Sequence, residues 1–208
     1  MWSKHVQSAT GPWKHGFMVS CITASIELAA IADPQLEYIP QEAVLPRANT
    51  TLRYPVPFQN PKTGKTVAKD LVPDAIFGLE YKQPGSSIYH FFLVEADRGT
   101  ELTRSSKFNS KSHHRNFLQY REYVGRGLYK IYLNLTAGIM VLNVTTNQRT
   151  MENMIDLVGE VSPRGNSYLL FQTCEQFGGY FNPPTTMQLL NTRIWQGYYL
   201  NDIRICEV

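Results

Sequence analysis

Leu71-Val72-Pro73-Asp74-Ala75-Ile76-Phe77 and, after a Gln83-Pro84-Gly85-Ser86 turn, Phe91-Phe92-Leu93-Val94-Glu95-Ala96-Asp97-Arg98-Gly99-Thr100-Glu101 together decide the fold class. Each opens or closes an apolar, β-prone run with a carboxylate. The runs predict strands over about Asp74 to Tyr81 and Ile88 to Ala96, joined as a hairpin by the Pro84-Gly85 turn. In such a hairpin Asp74, at the start of one strand, lies beside Glu95, at the end of the other, so the two carboxylates converge.

Working outward, Trp13 to Ala32 carries Phe17, Met18, Cys21, Ile22, Ile26, Ala29 and Ala30 at helical spacing and ends at Pro34. It is apolar on most of its surface, which predicts a helix covered by other elements and makes Glu27 within it conspicuous. Asp33 to Leu71 is proline-rich and reads as extended segments, with strands near Thr51 to Phe58 and Lys65 to Leu71 around an Asn60-Pro61-Lys62-Thr63-Gly64 turn. A second helix is expected over Thr103 to Val124 and a strand over Ala137 to Thr145. A third helix capped at Asn147 or Thr150 reaches Val161, followed by a strand at Ser167 to Gln172. From Cys174 onward the chain reads as mostly irregular. This order, α-β-β-β-α-β-α-β, predicts a single α/β domain over residues 13–208, a mixed β-sheet flanked by helices, behind an N-terminal extension of residues 1–12.

Composition narrows the class. With 208 residues, 43% of them hydrophobic and 18% charged, the chain has material for a full core. No apolar run approaches a membrane span, and no secretory leader is visible, which leads to an expectation of a cytoplasmic protein. Cys21, Cys174 and Cys206 are odd in number and far apart, as buried thiols rather than disulfides or a zinc site would be. In a cytoplasmic protein the Asn-x-Thr triplets at Asn49, Asn134 and Asn143 are accidental. Gly64-Lys65-Thr66 lacks the glycine a phosphate loop needs, and His113-His114 are adjacent on a helix and so diverge.

Two converging acids at the rim of a sheet suit Mg²⁺ or Mn²⁺, hard cations that use few carboxylates and serve phosphate chemistry. The bland alternative is that Asp74 caps a strand entry while Glu95, Asp97 and Arg98 form a surface charge cluster. Just beyond the acids, Arg98, Arg104, Lys107, Lys111, Arg115, Arg121, Arg126 and Lys130 face only Glu101 and Glu122. That segment nets +6 in a chain whose total is +3. Such a concentration suits a nucleic-acid backbone, or else is an ordinary solvated helix face.

The Pro-Asp-Ala strand followed by Glu-Ala-Asp-Arg-Gly-Thr-Glu resembles the replication-relaxation family of plasmid and mobile-element proteins, within the PD-(D/E)XK nuclease-like superfamily. The resemblance spans roughly Trp13 to Leu142. It implies a restriction-endonuclease-like fold and metal-dependent DNA phosphodiester hydrolysis, as an endonuclease or nickase in plasmid or mobile-element replication or transfer. It makes Asp74 and Glu95 metal ligands, with Glu27 matching an acid that relatives place on the first helix and Tyr120 supporting the site. It departs at Asp97, where the superfamily usually has lysine. Either Lys107 or Lys111 supplies that cation, or Asp97 adds a ligand, or the site does not cut and the domain serves as a DNA-binding or protein-recruiting module. The DNA-binding set would be Arg98, Arg104, Lys107, Lys111, Arg115 and Arg121. Family members often carry a winged helix first, and none is expected ahead of Trp13; the chain is then expected to be a fragment, a short relative, or a protein that takes its DNA specificity from a partner protein or a homodimer.

Overall fold

The computed structural model describes residues 10–105, 110–177, 187–191 and 195–207. Its centre is a mixed seven-stranded sheet in the order β1-β6-β7-β8-β9-β10-β11. The strands are β1 (Leu36–Ile39), β6 (Ala75–Gln83), β7 (Ser86–Asp97), β8 (Gly138–Thr145), β9 (Leu169–Thr173), β10 (Trp195–Gly197) and β11 (Leu200–Ile203). The β6–β7 hairpin is antiparallel, with Ala75 opposite Val94 and Gln83 opposite Ser86. From β7 the ladder turns parallel, pairing Glu95 with Asn143 and Asp97 with Thr145, and β9 continues it. The carboxyl ends of three parallel strands therefore meet the start of β6 at one rim. In open α/β sheets such carboxyl ends are where ligands are met.

Period-two alternation sorts the strands onto two faces. Ile76, Phe91, Leu93, Val141, Leu169 and Phe171 face α3 (His113–Tyr123) and α5 (Gln148–Val161). Phe77, Phe92, Val94, Leu142 and Leu170 face α1 (Thr10–Ile31). The stretch expected as strands around the Asn60 turn closes as a hairpin with two short ladders. These pair β2 (Tyr54–Pro55) with β5 (Asp70–Leu71) and β3 (Phe58–Gln59) with β4 (Thr66–Val67). Tyr54, Val56 and Phe58 thereby enter the core beside α3.

Four expectations need correction. α1 is not covered all round: Met18, Ile22, Ile26 and Ala30 pack on the sheet, whereas Leu28 and Ile31 on the outer side are 67% and 72% exposed. The proline-rich segment holds α2 (Gln41–Ala48), which starts after the extended Pro40, and the edge strand β1. The second helix begins ten residues later than expected, at His113, capped by the Ser112 side chain. A short α4 (Leu128–Tyr132) follows it. The tail adds β10 and β11 to the sheet, held by the neighbouring strand rather than by local propensity. Among the described residues no helix is long and apolar enough to cross a membrane.

Candidate functional site

Asp74 sits one residue before β6, its backbone N–H bonded to the Val94 carbonyl. Its Oδ2 accepts the Ala96 amide at 2.8 Å, which ties it to the backbone beside Glu95. The hairpin thus brings the two acids together as the sequence suggests. Glu95 is buried, and Tyr120, from the middle of α3, donates its hydroxyl to Glu95 Oε1 at 2.5 Å. Burial, then the charge of Asp74, pushes the Glu95 carboxyl up to about 8, against the opposing pull of Lys111 and the Tyr120 hydroxyl. Glu95 is therefore a neutral acid at pH 7 that yields its proton when positive charge arrives.

Lys111 provides positive charge at the same place. It lies in the loop just ahead of α3, not within the helix, and its Nζ meets Glu101 Oε1 at 2.7 Å. Burial would lower its pKa, but the fields of Glu95, Glu101 and Asp74 outweigh that and raise it. Lys111 is thus a fixed ammonium facing the acid pair from outside the strand, where the superfamily pattern would have placed it two residues after Glu95. The other candidate, Lys107, lies outside the described residues.

Asp97 has a different task from the one the sequence suggested. Its Oδ1 accepts the backbone N–H groups of Gly99, Thr100 and Glu101 at 3.0, 3.2 and 3.3 Å, and Oδ2 meets His113 Nε2 at 3.2 Å. Burial would raise its pKa, but the His113 hydrogen bond and charge and these amides bring it below the usual range. The carboxylate is consumed in shaping the turn that carries Glu101, and Gly99, at φ +75°, supplies the left-handed residue the turn requires. Asp97 is therefore a structural acid. Asp97→Ala is expected to destabilise the fold by about 3 kcal/mol, since several charge-assisted bonds are lost together. Asp97→Asn, which keeps an acceptor at Oδ1, is expected to cost less. Urea unfolding measures both, and full stability of Asp97→Ala would show that the turn holds without its acid.

Glu27 does not reach this rim. It lies twelve residues along α1 from His15, about 18 Å of helix rise. Its charge is felt instead at Tyr38, whose hydroxyl is pushed up by burial and then by Glu27 and Glu42. Tyr38 pairs with Leu79, well along β6 from Asp74. The first helix contributes His15, whose Nε2 donates to Asp74 Oδ1 at 3.0 Å. The sequence reading missed His15 and Glu101, because neither has a neighbour in sequence that marks its tertiary partner.

The basic segment is mostly spoken for within the protein. Arg104 pairs with Glu160, and Arg121 bonds Glu122 and the Val161 carbonyl, which caps the end of α5. Arg126 meets Glu122 as well. Arg115 is half-buried on α3, near enough to Glu101 and Glu95 to feel both charges. Arg98 is half-exposed at the start of the Gly99 turn. Of the expected DNA-binding set, Lys111 and Arg115 sit at the acid pair itself.

A polar recess beside Glu95 is lined by Asp97, Glu101, Lys111, His113 and Asn143 among others. Its free volume, about 10 Å³, is room for about one water. No group of three or more His, Cys, Asp or Glu side chains among the described residues is arranged to hold a metal ion. Asp74 and Glu95 alone are a two-carboxylate oxygen set, and this fits a Mg²⁺-type cation, which completes its shell with water and substrate phosphate. The chain matches no family model, no curated protein and no solved structure.

Proposed function

We propose that this rim is a phosphodiester-hydrolysing site acting on DNA, with a restriction-endonuclease-like arrangement of its parts. The observation that carries the reading is Lys111: an ammonium from the loop before α3 lies in the field of both strand-end acids and restores the charge pattern that Asp97 breaks. Asp74 and Glu95 would hold a Mg²⁺ or Mn²⁺ ion, which supplies charge neutralisation on the phosphate and a more acidic water. Tyr120 fixes Glu95 through Oε1, and the Ala96 amide fixes Asp74 through Oδ2. Lys111 faces the same volume and stabilises negative charge that grows on the phosphate oxygens in the transition state. Glu101 keeps the Lys111 side chain in place.

A test uses supercoiled plasmid, linear duplex and single-stranded DNA, each with Mn²⁺, with Mg²⁺ and with chelator. Wild type is expected to cut in the presence of a divalent cation, and Asp74→Asn and Glu95→Ala are expected not to. Cutting in chelator, or by both variants, would sink the assignment. A second reading, a DNA-binding or protein-recruiting module that does not cut, is favoured by one observation: the recess beside Glu95 is nearly filled and Lys111 is already paired with Glu101. That reading expects DNA binding that weakens with salt and is indifferent to metal.

A further inference from the structure

His15 of α1 touches the acid pair at Asp74, and its place there is built. It lies on the sheet-facing stripe of α1, three residues before Met18, and reaches over the end of β6 to Asp74 Oδ1. The Ala96 amide holds the other oxygen, Oδ2. A carboxylate gripped on both oxygens by donors from two different elements has its plane and rotamer set before any ligand arrives. The imidazole is more exposed than Asp74, 38% against 13%, so it forms the outer wall of the site while the acid lies inside. The charges of Lys111 and Glu101 both reach His15, which places it at the same mouth.

We propose that His15 is the positioning residue of this site, fixing the orientation of Asp74, which with Glu95 would hold a divalent cation. The inference rests on the hydrolytic reading above, and it gives α1 a place at the site different from the ligand role expected of Glu27. Outer partners of ligating groups govern metal affinity by about 10–100-fold, because without them the ligand must be ordered at the moment of binding. His15 acts through Asp74 and is therefore not a catalytic residue.

The probe is Mn²⁺ alone, titrated calorimetrically into metal-free wild type, His15→Ala and His15→Gln, with thermal midpoints recorded for each. A glutamine amide can place its Nε2 near that of the imidazole and donate to Asp74 Oδ1. The expected result is about 10–100-fold weaker Mn²⁺ binding for His15→Ala, substantial recovery for His15→Gln, and similar midpoints for all three. Equal affinity in wild type and His15→Ala would overturn the positioning role while leaving the hydrolytic site standing. Weakening in both variants, accompanied by lowered midpoints, would reduce His15 to a structural contact and overturn it too. Absence of Mn²⁺ binding in wild type would remove the cation reading itself, and this inference with it.

Discussion

Glu95→Gln is expected to melt about 6–12 °C higher than wild type at pH 7 in chelator, and at the same temperature at pH 4. The cause is the cost of a buried carboxylate. Burial and the nearby Asp74 charge hold the Glu95 carboxyl up to about 8, against an ordinary value of 4.5. A group whose folded value lies above its unfolded value binds its proton more tightly in the native state. The native state therefore loses stability as pH rises from about 4.5 towards about 8, and the loss is complete above that. At pH 7 the deficit is on the order of 3 kcal/mol, which a neutral glutamine does not incur. The glutamine amide is close in shape to a protonated carboxyl and still accepts from Tyr120, so packing is unchanged. The same replacement is expected to abolish cleavage. A variant that is more stable and inactive is what a functional acid kept at a structural cost should give. Scanning calorimetry at the two pH values checks this, and equal melting at pH 7 would mean that Glu95 is ionised and at ease in the native state.

The second large effect is expected at Lys111. Its ammonium is the only lysine nitrogen among the described residues placed to act on both Asp74 and Glu95. Removing one preorganised electrostatic stabiliser from an active site costs about 10²–10³ in rate. Lys111→Ala is expected to lose cleavage by that factor, a larger change than the loss of one backbone contact would make in any DNA affinity. The fold should hold, because the Lys111 side chain is half-exposed and water can reach the Glu101 carboxylate it leaves. Single-turnover rates at saturating protein separate the two effects. An unchanged rate would return the missing role to Lys107 or leave it unfilled.

Local pattern in the sequence was enough for some elements and not for others. The β6–β7 hairpin was legible because a continuous apolar run, a Pro-Gly turn and two acids at matching ends are all local signals. That α1 is a helix was legible from Phe17, Met18, Cys21, Ile22, Ile26, Ala29 and Ala30 at helical spacing. Its exposed outer side was not, because an all-round apolar helix does not say which side is covered. β1 and α2 were hidden by Pro40 and Pro46, which weigh towards extended chain in a local reading. Here Pro40 stands at the cap of α2, where its fixed φ and missing N–H cost nothing. β10 and β11 owe their existence to the edge of β9, and Trp195–Gly197 carries no strand signal of its own.

At the site, the convergence of Asp74 and Glu95 followed from hairpin geometry. The place of Lys111 beside the two acids did not, since it depends on where the helix after the acids begins, and His113 is ten residues beyond the expected start. The sequence left Asp97 open between an added ligand, a site that does not cut and a surface charge cluster, because its partners are three backbone amides and His113, none of which composition can assign. Glu27 was misplaced for a related reason: a residue's phase on a helix says which face it takes, but its height along the sheet is set only by tertiary packing.

The most direct test of the central claim, that Asp74, Glu95 and Lys111 act together on phosphodiesters, is single-turnover nicking of supercoiled plasmid in Mn²⁺. Wild type, Glu95→Gln, Lys111→Ala and Asp97→Asn would be compared at matched folding. The expected result is cutting by wild type and Asp97→Asn and loss in the other two. Cutting by Glu95→Gln and Lys111→Ala at the wild-type rate, or no cutting by wild type while DNA still binds, would contradict it.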